Sequence, residues 1–292
     1  MTLFDFLAAS PAGFTAVMGM LGLMVGSFLN VVIHRLPIML ERGWRTECEA
    51  MFGDGTAAAG GEPFNLVVPR SRCPQCKAPI TALQNIPVLS YVLLGGRCAH
   101  CRSAISPRYP AVELVTGIAT AAVAWHFGFS GAAACGAALT WMLIALAVID
   151  FDTQLLPDAI TLPGLWLGIL ANCFGVFTTL QAAVVGAMAG YASLWCVYWA
   201  FKLATGKEGM GYGDFKLLAM IGAWLGWQVL PIVIVLSSMV GAAIGLGLIA
   251  FSGHERGKPI PFGPFLAIAG WIALLFGPAI LRFYLGLGGG GL

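Results

Sequence analysis

Charge is what this chain has least of. Lysine, arginine, aspartate and glutamate make up only 10% of its 292 residues, far below the roughly one quarter usual in soluble domains. That scarcity excludes a water-soluble globule. Histidine is scarce as well. His34, His100, His126 and His254 are scattered along the chain, and each reads better as a boundary, packing or surface residue than as a ligand. Several catalytic signatures are absent: Gly-x-Ser-x-Gly, His-Glu-x-x-His and the P-loop Gly-Lys-Ser/Thr. Their absence removes the hydrolase elbow, the zincin helix and the phosphate cradle. No strand-like run opens into Gly-x-Gly-x-x-Gly, so no Rossmann-type cofactor site is legible. The first apolar run has no basic flank before it and no small-residue cleavage site after it. It ends in Asn30, His34 and Arg35, which is not the pattern of a cleaved signal peptide.

What is abundant is apolar surface, with 59% hydrophobic residues and a mean hydropathy of +0.87. Crossing a hydrocarbon core of about 30 Å takes about 20 apolar residues. Runs of about that size lie near 14–34, 111–129, 133–150, 159–179, 182–203, 215–229, 231–251 and 262–283. The expected fold is therefore an all-α polytopic membrane protein with about eight transmembrane helices. Gly226, Gln228 and Pro231 mark the weakest of the intervening turns. Fourteen of the fifteen cations, all but Arg282, fall on loops of one side under that count. By the positive-inside rule those loops face the cytoplasm and the amino terminus faces out. Lipid bilayer is the expected surrounding, and no nucleic-acid partner is expected.

One polar insertion interrupts the spans. The expected organisation is a first helix over 1–34, a cytoplasmic domain over 35–110, a membrane core over 111–285 and a disordered Gly-rich tail over 286–292. Within the insertion, the Gly/Ala-rich stretch at 53–61 reads as flexible. Beyond it the sequence duplicates itself as Arg72-Cys-Pro-Gln-Cys-Lys77 and Arg97-Cys-Ala-His-Cys-Arg102. Cys73, Cys76, Cys98 and Cys101 have the spacing of a zinc ribbon, in which two Cys-x2-Cys turns present four thiolates to one tetrahedral ion. A reducing compartment disfavours disulfides. The flanking Arg72, Lys77, Arg97 and Arg102 can offset the negative charge of a four-thiolate zinc site. A closed four-cysteine shell leaves no open position, so the metal is expected to be structural. Of the other cysteines, Cys135, Cys173 and Cys196 lie in spans and read as small buried hydrophobes, and Cys48 is unpaired by spacing.

In so apolar a chain, a carboxylate at the edge of a span marks a candidate functional site. Asp150 closes one run, ahead of Asp152 and Asp158 in Ile149-Asp-Phe-Asp-Thr-Gln-Leu-Leu-Pro-Asp158. Asp150 continues the helix and sits deepest; Asp152 reads as a turn residue, and Asp158 could simply cap the next helix. Asp214 follows Gly209-Met-Gly-Tyr-Gly213. Those glycines could take left-handed angles and admit an extended substrate, or the segment could be a hinge with Asp214 as its helix cap. Glu113 could pair with Arg108 or serve a site, the structural role being preferred. Two neighbouring carboxylates share a proton, so that one can activate water while the other polarises a carbonyl. Proteolysis by an aspartyl pair is the leading reading. A transporter using the same acids, or an assembly factor docking through its zinc domain, are the alternatives.

The chain resembles the prepilin leader peptidase/N-methyltransferases of type IV pili and type II secretion, GxGD-type aspartyl proteases. The resemblance rests on Gly26-Ser-Phe-Leu-Asn-Val-Val-Ile-His-Arg-Leu-Pro37, both cysteine knuckles, Asn85-Ile-Pro-Val-Leu-Ser-Tyr91, Arg108-Tyr-Pro-Ala-Val-Glu-Leu114, the segment from Ile149 to Asp158, Gly209-Met-Gly-Tyr-Gly-Asp-Phe-Lys-Leu217 and Pro261-Phe-Gly-Pro264. It implies cleavage of a basic leader from prepilins and pseudopilins on the cytoplasmic face of the inner membrane. Methylation of the new amino terminus by S-adenosylmethionine would follow. It also implies catalytic roles for Asp150 and Asp214, metal binding by the four cysteines, and a role in methylation for Gly96. On the residues alone, Gly96 could equally be a tight turn before the second knuckle.

Overall fold

A computed structural model of the chain describes residues 3–52, 64–252 and 261–288. The stretch at 53–61, His254, Arg256 and Lys258 lie outside the described residues. The chain divides into two compact units, Met1–Phe129 and Ser130–Leu292. The first holds α1 (Leu3–Ala9), α2 (Pro11–Phe52), α3 (Leu89–Leu93) and α4 (Arg108–Phe127). The second holds α5 (Gly131–Thr153), α6 (Asp158–Cys173), α7 (Leu180–Thr205), α8 (Tyr212–Leu225), α9 (Leu230–Ser252) and α10 (Gly263–Gly288). Among the described residues there is no strand, only two isolated bridges between Arg72 and Pro79 and between Arg97 and Ala104.

The expected helical membrane protein is present, with two differences in its spans. Six helical stretches are long and apolar enough to cross a membrane: Pro11–Phe52, Arg108–Phe127, Gly131–Thr153, Leu180–Thr205, Trp227–Gly247 and Gly263–Phe283. They expose large apolar side chains such as Met24, Trp125, Met188 and Phe276, a surface that suits lipid and not water. The other two expected spans are the helices α6 and α8, with 16 and 14 residues. At 1.5 Å per residue they rise only about 24 and 21 Å. Apolarity counted both as spans, whereas α8 is apolar because it is enclosed by protein. Every residue from Asp214 to Trp224 except Lys216 is buried, as expected of a helix that is apolar all round.

The first unit also departs from the expected boundaries. α2 has 42 residues and runs past position 34 to Phe52, into what was expected to be the insertion. At about 63 Å, it is about twice the thickness of a hydrocarbon core. Its polar continuation carries an Arg45–Glu41 pair one turn apart at 3.1 Å. Buried Arg35 donates from Nη1 to the Asn65 carbonyl at 2.9 Å and from Nη2 to the Pro69 carbonyl, while Arg42 stacks 4.3 Å from the Phe64 ring centroid. These contacts fasten the returning chain to α2. α4 groups with α2, not with the membrane core that was expected to start at 111. A Cβ at Gly26 would lie 2.7 Å from the Glu113 Cα, and one at Gly22 would lie 2.6 Å from the Thr120 Oγ1. Small residues let the two backbones approach closely. The hydroxyls of Thr116 and Thr120 return to the carbonyls of Val112 and Thr116, each at 2.7 Å.

In the second unit, α6, α7 and α10 pack around α8, while α5 packs against α10 and α6. Gly186 of α7 and Gly222 of α8 meet backbone to backbone, where a Cβ on either would overlap the other's carbonyl. Trp224 donates from Nε1 to the Gly164 carbonyl of α6 at 2.7 Å. Asn172, 2% exposed, serves the end of α8: its Nδ2 donates to the carbonyls of Ala223 and Trp224 at 2.9 and 2.8 Å. Its Oδ1 accepts from the N–H groups of Phe177 and Thr178, each at 3.0 Å. A short helix ending inside protein needs such a partner, because its last carbonyls have none of their own. Gly226, at φ +85°, then breaks the chain before α9, as the weak turn signal suggested. α10 continues to Gly288, three residues into the stretch expected to be disordered, and 289–292 lie outside the described residues.

Candidate active site and metal centre

Asp150 sits in the last turn of α5. The helix stops because Gln154 adopts a left-handed cap at φ +55° and donates its N–H to the Asp150 carbonyl at 2.9 Å, a common C-terminal device. Asp214 sits in the first turn of α8. The cap position there is Gly211, with no side-chain capping bond, so Asp214 is not the N-cap that the alternative reading offered. Both carboxylates are buried, at 5% and 7% exposure. Asp150 Oδ2 accepts the Gly263 N–H at 2.9 Å. Asp214 Oδ1 is buried with no hydrogen-bond partner. An unpartnered buried oxygen costs about 1–3 kcal/mol, so it marks a position where a proton, water or substrate group belongs.

The glycines act through space and not through left-handed angles. Gly211 has φ −82° and ψ 149°, and neither Gly209 nor Gly213 is among the positive-φ residues. A Cβ on Gly213 would lie 2.7 Å from the Leu156 Cβ, and one on Gly263 would lie 3.2 Å from the Leu156 Cδ2. Leu156 is thus the common neighbour of the two glycines. At Gly211 the nearest atoms to an added Cβ, Asp214 Oδ2 and the Gly213 nitrogen, are 4.0 Å away. That is open room beside a carboxylate.

The neighbouring acids separate clearly. Asp152 is exposed. Asp158 does not cap α6, whose cap position is Pro157; it accepts from Lys216 Nζ on α8 at 2.7 and 2.8 Å. Glu113, in the first unit, accepts the Val88 N–H at 2.7 Å, where Val88 is held at φ +58°, a structural contact other than the Arg108 pairing expected for it. The sequence placed Gly263 in the Pro261-Phe-Gly-Pro264 motif without giving it a role, and it did not point to the brace behind Tyr212. In that brace Lys202 donates to the Tyr198 hydroxyl at 3.1 Å and to Glu208 at 2.8 Å, and the Tyr198 and Tyr212 rings lie 5.3 Å apart. The helical spacing of Tyr198 and Lys202 was the one available signal.

In the first unit, the sulfurs of Cys73, Cys76, Cys98 and Cys101 all lie within 4.8 Å of one another. The knuckles repeat each other bond for bond. Cys73 N–H donates to the Ala78 carbonyl and Cys98 N–H to the Ser103 carbonyl, both at 2.9 Å, with Lys77 and Arg102 both at φ +59°. Four sulfurs about 2.3 Å from a tetrahedral zinc are about 3.8 Å apart, and the Cys73 and Cys101 sulfurs are 3.8 Å apart. The donor set fits that ion. Backbone N–H groups of Cys76 and Gln75 aimed at the sulfur, with a further contribution from Ser103, bring the Cys73 thiol down to about 6, while burial and the neighbouring sulfurs push the Cys76 thiol up to about 11; it is the geometry of the four sulfurs that fits a metal. Ser103, 3.1 Å from the Cys101 sulfur, replaces the Ala78 of the first knuckle.

Gly96 lies before the second knuckle at φ +68°. Its N–H donates to the Tyr91 carbonyl at 2.9 Å, and its carbonyl accepts from Ile105 at 2.8 Å. A Cβ there would lie 2.9 Å from the Tyr91 hydroxyl. The tight turn anticipated for it is present, roofed by the Tyr91 ring.

Fold and site define a polytopic helical membrane protein with a buried aspartate pair and a four-cysteine knuckle domain. Residues 20–127 match the Bacterial Peptidase A24 N-terminal domain, and residues 137–246 match the Type IV leader peptidase family. The chain is 55% identical over 285 residues to the prepilin leader peptidase/N-methyltransferase of Stutzerimonas stutzeri, covering 98% of each chain. It is 55% identical over 295 residues to that of Pseudomonas aeruginosa, covering 99% of each. It is 60% identical over 263 residues to that of Aeromonas hydrophila, covering 90% of this chain and 91% of the relative. No solved structure matches. The chain belongs to the type IV leader peptidase family.

Proposed function

We propose that this protein cleaves the basic leader from type IV prepilins and type II secretion pseudopilins, and then methylates the new amino terminus with S-adenosylmethionine. The observation that carries the reading is the aspartate pair: two buried carboxylates, each beside a glycine that closes on Leu156, one with an oxygen left unpartnered. The curated relatives carry both activities in their names over nearly the whole chain.

The pair of Asp150 and Asp214 shares one proton. The ionised member takes a proton from water as the oxygen attacks the scissile carbonyl carbon. The protonated member donates to the carbonyl oxygen, and the leaving amine collects a proton as the C–N bond breaks. Titration belongs to the pair and not to either residue. The apolar helix of the substrate would lie in the bilayer against the lipid-facing helices of the second unit, since α8 itself is enclosed by protein. Its extended scissile segment would enter over Gly211, where no side chain blocks the approach to Asp214. The positive-inside pattern favours a cytoplasmic site on a multi-pass inner-membrane protein.

The four cysteines would hold zinc, which supplies folding free energy to their domain when bound. Their own backbone hydrogen bonds orient the thiolates. No strand occurs among the described residues, so a Rossmann-type cradle is not built there. The Gly96 turn is the proposed neighbourhood for methyl transfer, on the strength of the family resemblance.

The test is incubation of purified protein in nanodiscs with a model prepilin and methyl-labelled S-adenosylmethionine. A shortened product carrying label on its new amino terminus is expected. A prepilin left intact by protein that retains its zinc would end the proposal.

A further inference from the structure

We infer that the backbone N–H of Gly263 positions the Asp150 carboxylate, and that residue 263 must be glycine because any Cβ would occupy the space of that carboxylate. This rests on the aspartyl reading above and adds a third segment to its machinery. Asp150 and Gly263 are 113 residues apart, and the bond between Gly263 N and Asp150 Oδ2 is 2.9 Å long and buried. A Cβ on Gly263 would lie 2.7 Å from that same oxygen and 3.0 Å from the carboxylate carbon. The contact is therefore closed to every other residue type unless Asp150 moves.

The hydrogen-bond accounting at the start of α10 explains why this N–H is available. The first N–H groups of a helix have no partner within it. Phe265 and Leu266 donate to the Phe262 carbonyl at 3.1 and 3.2 Å, and Pro264 has no N–H to give. Gly263 supplies the remaining donor of that turn, and Asp150 takes it. The two carboxylates of the pair are consequently unlike. Asp150 is held by the backbone of another helix, whereas Asp214 keeps a buried oxygen unpartnered for substrate, water or the shared proton. Gly263 is a positioning residue, acting on the reaction through Asp150.

The test compares four full-length proteins in nanodiscs: Gly263→Ala, a backbone ester at 263 that replaces the N–H with oxygen, Gly263→Ala combined with Leu156→Ala, and Asp150→Asn. The ester adds no atom, so it keeps the fold where alanine could disturb it. Losing a hydrogen bond to a charged group predicts a fall in kcat of about tenfold to a hundredfold for the ester, with KM for prepilin unchanged within about twofold. Zinc content and methylation of a pre-cleaved substrate should match the parent. Gly263→Ala should fall at least as far, and removing the Leu156 side-chain tip, 3.2 Å from the added Cβ, should not rescue it. An ester protein with the parent's kcat, or full rescue by Leu156→Ala, overturns the positioning role while a dead Asp150→Asn leaves the aspartyl reading standing. An Asp150→Asn protein that cleaves normally overturns both.

Discussion

A single methyl group at Gly213 should do far more damage than one at Gly211, although both glycines belong to one short motif. At Gly213 the added carbon meets the Leu156 Cβ at 2.7 Å. A Cβ is fixed to its backbone, so no change of rotamer relieves the overlap. Either the first turn of α8 or the 155–157 segment must shift. Overpacking of this kind costs about 1–3 kcal/mol. Those two segments border the two carboxylates, and a displacement of about 1 Å in a reacting group can cost about a hundredfold in rate. At Gly211 the conformation suits any residue and the nearest atoms are 4.0 Å away, so alanine should leave stability unchanged within about 0.5 kcal/mol. Its effect should fall on KM, through the space the substrate uses. The assay pairs thermal unfolding in detergent with steady-state cleavage of a prepilin. Gly213→Ala should lower Tm and reduce kcat by about a hundredfold. A Gly213→Ala protein with the parent's Tm and kcat would refute the wedge role given to Leu156.

Other outcomes follow from the same geometry. Elemental analysis of the parent should find about one zinc per chain, and Cys73→Ser with Cys98→Ser should release it and lower stability; a fully active, metal-free parent would contradict this. Asn172→Leu strands the four backbone groups that Asn172 serves, and at about 1–3 kcal/mol each it should prevent accumulation of folded protein. Asp158→Ala removes a partly exposed ion pair and should cost at most about 1 kcal/mol, with cleavage nearly unchanged, and Asp152→Asn should be equally mild. Gly96→Ala forces a side chain into φ +68° beneath Tyr91; label transfer should fall while leader cleavage continues, and equal loss of both would remove Gly96 from methylation alone.

Much of this was legible in the sequence because lipid and metal both impose strong patterns. Apolar runs located each major helix, and Cys-x2-Cys spacing located the knuckle cluster. Hydropathy could not distinguish a helix facing lipid from one enclosed by protein, which is why α8 passed for a full span; α6 passed for one because its apolar run continues past the helix end at Cys173. Nor could it foresee that Arg35 and Pro37 would sit buried inside a helix running on to Phe52. Spacing favoured Asp150 over Asp152 and Asp158 only by its depth in the apolar run. Tertiary structure separates them, by burial for Asp150 and by the Lys216 pair for Asp158. The roles of Gly263, noted only as part of Pro261-Phe-Gly-Pro264, and of Asn172 were illegible for a simpler reason. Each bond joins a backbone group to a side chain far away in sequence, and a residue's identity does not show which backbone group will meet which side chain.

The most direct measurement is cleavage of a full prepilin by purified Asp150→Asn and Asp214→Asn proteins, with methylation of a pre-cleaved substrate followed in the same samples. A pair that shares one proton fails when either carboxylate is lost, and methyl transfer uses neither. The expected result is no detectable cleavage by either variant, with label transfer close to that of the parent. Near-normal cleavage by either one would contradict the aspartyl pair.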